Sequence, residues 1–338
     1  MDLHLIWFVI MGALLAGYAI LDGFDLGVGM LHPLAQNDRE RRLFMGAIGP
    51  IWDGNEVWLV TFGGALFAMF PEAYATIFSG FYLAFMLLLF ALIARAVSIE
   101  FRSKVHAEGW RRFWDGSFFA SSFVATLVFG IGVGNAIGGL PLDERGAYVG
   151  GLFDLLRPYP VLIGFLAVAL FAMHGAIYLF LKTSGGVQER LGRWMWHTWG
   201  LFLFVYLLAT ILTLLRYPHA AANFGRHPWA VAGVVLNILA ITNIPRAFFR
   251  GKYGEAFVSS SVTIACMVFL FAMALYPNVL VASNDPARSW TIVNAASSEK
   301  TLRIGLLIAG IGMPFVLAYT GIVYWAFRGK VKAEESIY

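Results

Sequence analysis

The sequence predicts an all-α polytopic membrane protein. About nine transmembrane helices are expected, packed as two four-helix bundles plus one peripheral helix in a single integral membrane domain, residues 1–338. Three observations predict this. Of 338 residues, 59% are hydrophobic and only 13% charged, about half the roughly 25% charge of a soluble domain, and mean hydropathy is +0.73. Apolar stretches of the length needed to cross about 30 Å of hydrocarbon recur along the whole chain. Trp and Tyr gather near the ends of those stretches, where an aromatic belt would sit. Together these exclude an ordinary soluble enzyme, a disordered chain and a nucleic-acid-binding module. The net charge of +4 does not restore the last reading, because membrane proteins place basic residues in loops for topological reasons.

Taken in order, the expected spans are roughly 5–30, 50–70, 76–99, 115–140, 158–181, 195–215, 228–249, 256–276 and 304–327. The first follows Met1-Asp2-Leu3-His4, which lacks the positive region of a secretory signal, so it is expected to stay in the mature protein. The second is the least apolar, since it opens on Gly49-Pro50 and carries Asp53 and Glu56. The longest connection runs from Pro277 to Arg303, and its Asn284–Ser298 portion reads as an ordered lid over the bundle.

The basic residues test the count. With nine spans, one side receives Arg39, Arg41 and Arg42; Arg95, Arg102, Lys104, Arg111 and Arg112; Lys182, Arg190 and Arg193; Arg246, Arg250 and Lys252; and Arg328, Lys330 and Lys332. That is 17 of the 24 Lys and Arg, against 7 on the other side. The positive-inside rule then predicts an N-terminus outside and a C-terminus in the cytoplasm.

Charges at membrane depth are costly and each needs a reason. Asp22 and Asp25 lie three apart near the inner end of the first span, so they share a helix face. Asp53 and Glu56 share a face at the start of the second. Arg95 and Glu100 close the third on the same side. Four carboxylates and one guanidinium are thus expected at one level, a set able to hold and pass protons. Structural roles stand beside this. Asp22 could cap backbone groups, Asp25 could pair with Arg95 or a helix N-terminus, and Glu56 could be solvated at the interface. Asp53, in Trp52-Asp53-Gly54-Asn55, reads as functional, because that stretch is too polar for packing alone.

Of seven histidines only His174 lies well inside a span. A bis-His haem needs two facing histidines, so the chain alone is a poor cytochrome. His174 reads as an interhelical hydrogen-bond donor, with a redox or proton role as the alternative. The single Cys266 excludes an internal disulfide and a multi-thiolate metal site, and no P-loop or nucleophile motif is present. A proton-coupled secondary transporter also buries carboxylates in Gly-broken helices, but its site is expected near the midplane rather than toward one face.

Two stretches carry a family resemblance: Leu21-Asp22-Gly23-Phe24-Asp25-Leu26-Gly27-Val28-Gly29 and Trp52-Asp53-Gly54-Asn55-Glu56-Val57-Trp58-Leu59. Gly63–Ala68, Phe78–Tyr82, Phe101-Arg102-Ser103-Lys104 and Asn294–Ser298 add to it. The chain resembles subunit II of the bd-type quinol oxidases over nearly its whole length. Its short length and late loop are most similar to the cyanide-insensitive branch. The resemblance implies a haem-free subunit in a bacterial inner membrane, packed on subunit I. That partner would carry two b-type haems and haem d, or b-type haem in its place, and the quinol-oxidising loop. A small single-helix subunit and a bound quinone are compatible with it. The complex would reduce dioxygen to water with quinol. Proton uptake from the cytoplasm is implied at Asp53, with Asp25 and Glu56 beside it. Asp22, Arg95 and His174 are expected in structural or charge-pairing roles.

Overall fold

A computed structural model describes residues 2–331; Lys332, counted above among the basic residues, lies outside the described residues. The chain is helical almost throughout. The first helix, α1 (Leu3–Leu31), starts where the Asp2 carboxylate accepts the His4 amide at 2.9 Å. Its 29 residues extend about 44 Å, enough to cross hydrocarbon and headgroups. A short helix, α2 (Asp38–Ile48), is boxed at its start: Asn37 accepts the Glu40 amide, and the Glu40 carboxylate accepts from Gln36 N at 2.8 Å. Then come α3 (Trp52–Met69), α4 (Pro71–Gly80), α5 (Tyr82–Phe101), α6 (Glu108–Gly138), α7 (Pro158–Lys182), α8 (Gly186–Arg216), α9 (His219–Arg226), α10 (Val231–Phe249), α11 (Tyr253–Leu275) and α12 (Glu299–Ala326).

Among the described residues eight helices are long and apolar enough to cross a membrane: α1, α5, α6, α7, α8, α10, α11 and α12. The expected second span is α3, 18 residues long, whose first turns hold Asp53, Asn55 and Glu56 and dilute its apolarity. Its course is nevertheless that of a traversing helix. Asn55 at its start bonds Leu21 O of α1, and Met69 at its end packs beside Trp7. So α3 runs antiparallel to α1 over the same height. The expected third span, 76–99, is broken in the structure. Phe81 leaves helical geometry (φ −96°, ψ 18°) and separates α4 from α5. Gly80 lies so close to Tyr148 that a Cβ there would sit 2.8 Å from its Cβ, which ties α4 to the loops rather than to the span.

The helices fall into two groups, α1, α3, α5 and α6 against α7, α8, α10 and α11, with α12 outside against α1 and α3. The groups meet where α7 packs on α6 and α1. Small residues let the backbones close in. A Cβ on Gly27 would lie 2.1 Å from Phe171 O, and one on Gly175 2.7 Å from the Gly27 Cα. In α10, Pro245 deprives the Ile241 carbonyl of its usual donor; the Trp199 indole of α8 supplies one at 3.2 Å.

The Asn284–Ser298 segment closes one end of the molecule, here the capped end. Just before it, β1 (Asn278–Leu280) pairs antiparallel with β2 (Trp290–Thr291) inside it. Trp290 Nε1 donates to Thr76 Oγ1 at 2.9 Å, Ser297 Oγ to Ala68 O at 2.6 Å, and Asn284 exchanges two hydrogen bonds with the Leu142 backbone. The opposite end gathers α2 and the Arg-rich turns and is the basic end.

The α1–α7 contact leads to a prediction. Gly27→Ala forces two helix backbones apart and is expected to cost roughly 1–3 kcal/mol or more, as overpacking does. Gly12→Ala meets nothing within 4 Å and is expected to be neutral. Thermal denaturation of the two purified variants checks both.

Candidate functional site

About 14 Å from the basic end of α1, four helices converge on a buried polar network. The i, i+3 spacing of Asp22 and Asp25 turns both toward the same neighbours. Arg95 of α5 reaches across and grips Asp22 with both arms, Nη1 to Oδ2 at 3.0 Å and Nη2 to Oδ1 at 2.6 Å. Asp22, Asp25 and Arg95 are all fully buried. Such a planar two-point contact is the geometry in which a guanidinium can stay buried. Asn55 of α3 donates one amide hydrogen to Asp25 Oδ2 at 2.7 Å and contacts Leu21 O at 3.2 Å. Its own oxygen accepts from the Tyr324 hydroxyl of α12 at 2.8 Å. Glu56, half-buried, approaches Arg95 at 3.6 Å.

The expected cluster is therefore divided. Asp22 neither caps backbone nor stands free; it holds the arginine. Asp25 does not pair with Arg95, and its partner is the neutral amide of Asn55. Among the described residues Asp25 Oδ1 and the Tyr18 hydroxyl have no hydrogen-bond partner, so this side of the network retains accepting and donating capacity. Asp53 is exposed at the start of α3, with no hydrogen bond or ion pair to a described residue. Glu100 is also exposed. His174 is buried and joins three helices: Nδ1 meets Ser260 Oγ of α11 at 2.7 Å, Nε2 meets Ile20 O of α1 at 3.1 Å, and the ring stacks on Phe257.

Sequence reasoning did not anticipate Asn55 and Tyr324 as partners, nor a second network at the basic end. There Asp115 of α6 accepts from Arg102 Nε at 2.5 Å, meets His32 Nε2 at 2.6 Å and accepts from Arg41 at 3.1 Å. Arg102 and His32 are buried. Asp38 at the start of α2 collects Arg102, Arg42 and Arg111. The available signal was the pairing of a basic and an acidic residue, Arg102 and Asp115, either side of one tight connection. Partial burial pushes the Asp38 carboxyl up, but the hydrogen bonds from Arg102 and Arg42 outweigh it and hold the group below its usual range.

Two predictions follow from these geometries. Arg95→Leu leaves Asp22 buried and unpaired and is expected to destabilise the protein by roughly 3–5 kcal/mol, whereas Asp22→Leu with Arg95→Leu recovers most of that loss. Denaturation midpoints of the single and double variants test it. A folded-state pKa lower than the unfolded one stabilises above the unfolded value, about 3.9, and the gain disappears as pH falls through the folded value. Asp38→Asn is therefore expected to lower the midpoint slightly at pH 7, the group being partly exposed. The difference should begin to shrink as pH drops below about 4 and be gone below the folded-state value.

Comparisons agree with this architecture. Residues 3–327 match the profile of the family described as cytochrome bd terminal oxidase subunit II. The chain is 37% identical over 368 residues to the cytochrome bd-I ubiquinol oxidase subunit 2 of Escherichia coli K12, covering 98% of this chain and 96% of that one. It is 34% identical to the cytochrome bd ubiquinol oxidase subunit 2 of Bacillus subtilis 168, covering 99% and 98%. In three dimensions it matches a chain of the bd oxidase from Geobacillus thermodenitrificans with a TM-score of 0.81 at 18% identity, over 97% of this chain and 99% of that one. The transporter alternative is set aside by these matches. The chain belongs to the cytochrome bd terminal oxidase subunit II family, and is a multi-pass membrane subunit of an oxidase complex that includes a subunit I.

Proposed function

We propose that this chain is the haem-free half of a quinol:dioxygen oxidoreductase in the bacterial inner membrane and admits protons to it from the cytoplasm. The carrying observation is the arrangement around Asp25. An exposed acid, Asp53, opens α3; Glu56 stands one turn deeper; Asn55 then hands a hydrogen bond to the buried Asp25. This is a graded series from surface to interior, and it lies beside an arginine already neutralised by Asp22. The curated relatives are named as ubiquinol oxidases, which supports a quinol as reductant. The length and late loop support the cyanide-insensitive branch.

The histidines support haem on subunit I rather than here. His174 has both ring nitrogens engaged. His32 is committed to Asp115 and His219 to Ile137 O. The haems of subunit I, b-type with or without haem d, supply the oxygen chemistry; the residues of this chain hold the partner and supply protons. The exposed face of α3 supports a role in docking. Asp53, Gly54, Val57, Val60, Thr61 and Gly64 share it, and at Gly54 and Gly64 a Cβ would meet nothing within 4 Å. Small residues along an exposed helix face suit a protein neighbour better than lipid. A quinone and a single-helix subunit are further occupants of the complex. The 17-to-7 charge split supports an orientation with the basic end facing the cytoplasm and the N-terminus outside.

Asp53→Asn is expected to leave the haem spectrum of the assembled complex intact while slowing quinol-dependent oxygen uptake roughly tenfold or more. Unchanged turnover in that complex removes the proton-uptake role. Co-purification with a haem-bearing partner, together with no haem absorbance in the isolated chain, tests the division of labour.

A further inference from the structure

An exposed side of α10 and α11 carries a feature the oxidase role does not use. These two helices are antiparallel, joined through Arg250-Gly251-Lys252. Between them lies a groove of ≈ 550 Å³. Leu236, Leu239, Val258 and Val262 form its apolar part, and Asn243, Arg246 and Ser259 its polar part. Leu236 and Arg246 are ten residues apart on one helix, about 15 Å. The groove thus runs from an apolar wall inside the membrane to a cationic rim at the basic end.

The rim is built rather than incidental. Asn243 donates to Ser259 Oγ at 2.9 Å and to Glu255 Oε1 at 3.1 Å, and its oxygen accepts from Arg246 Nη1 at 2.6 Å. The guanidinium is held over the groove while its side chain stays 54% exposed. Lys252 is 64% exposed, and the Arg250 side chain is exposed without a partner among the described residues. One carboxylate, Glu255, faces these three cations, at 3.5 Å from Arg246 and 3.7 Å from Lys252. An excess of positive charge beside an apolar channel complements a molecule with a negative head and a hydrocarbon tail. A zwitterionic lipid or an uncharged helix leaves that excess unmatched.

We propose that this groove binds one anionic phospholipid, its phosphate on Arg246 and Lys252 and an acyl chain along Leu236, Leu239 and Val258. The test uses the whole purified complex, reconstituted in a phosphatidylcholine bilayer containing a minority of phosphatidylglycerol. Native mass spectrometry then counts the lipids retained on release. The expected result is one fewer phosphatidylglycerol per complex in Arg246→Gln/Lys252→Gln. The same loss is expected in Leu239→Trp, which fills the groove and leaves its charges untouched. No loss is expected in Arg328→Gln/Lys330→Gln, which removes basic charge elsewhere at the same end. Unchanged retention in the groove variants, or equal loss in the Arg328/Lys330 pair, overturns the proposal. So does a photo-crosslinker at Val258 that captures a protein chain instead of lipid. For variants that do not assemble, the wild-type complex serves. Phosphatidylglycerol should raise its denaturation midpoint above that in phosphatidylcholine alone, and equal midpoints overturn the proposal.

Discussion

A guanidinium buried beyond the reach of water has one way to persist, and Arg95 takes it. Its two-armed contact with Asp22 fixes the height of α5 against α1, because a slip by one turn would separate two charges that have no other counter-ion of comparable geometry. Much of the remaining polar architecture is arranged around that pairing. With Asp22 committed, Asp25 is left to a neutral amide, and Glu56 is left at the margin, within sight of the arginine but not fastened to it. One ion pair thus sorts three acids into three different chemical situations without any of them being far apart.

The close packing of glycines supports this sorting from behind. Gly27 sits two residues beyond Asp25 on α1, and Gly175 one residue beyond His174 on α7. Where these backbones touch, α1 has no freedom to rotate, so the faces it presents to α3 and α5 are set by a contact on its opposite side. His174 adds a second fixed point, tying the Ile20 carbonyl to Ser260. The α1 segment that carries the acids is therefore gripped by both bundles at once.

Much of the fold is readable in the sequence, because hydropathy over about 20 residues is a one-dimensional signal and a membrane imposes it strictly. What escaped was local or combinatorial. The break at Phe81 depends on Tyr148 crowding Gly80, a contact between distant segments that no window along the chain contains. Asp22 and Asp25 were both recognisable as interior acids, but an i, i+3 pair does not reveal which member faces α5. Asn55 belongs to a stretch too polar for packing alone, but the partner that holds its oxygen, Tyr324, lies 269 residues later. His32 read as a loop residue because its burial comes from α6, through Asp115. The sequence therefore spoke clearly about how many helices there are and which of their residues are unusual, and poorly about who meets whom.

The bond from Tyr324 to Asn55 also bears on how the protein is made. Synthesis proceeds from the N-terminus, so α1, α3 and α5 enter the bilayer early and can form the Asp22–Arg95 pair among themselves. Until α12 arrives, the amide that serves Asp25 lacks its Tyr324 hydroxyl partner. Only α12, which packs along α1 and α3, completes it. The Asn55–Tyr324 hydrogen bond of the buried site is thus made only once α12 is in place, and a chain stalled before it would carry the charges of the site without that closure.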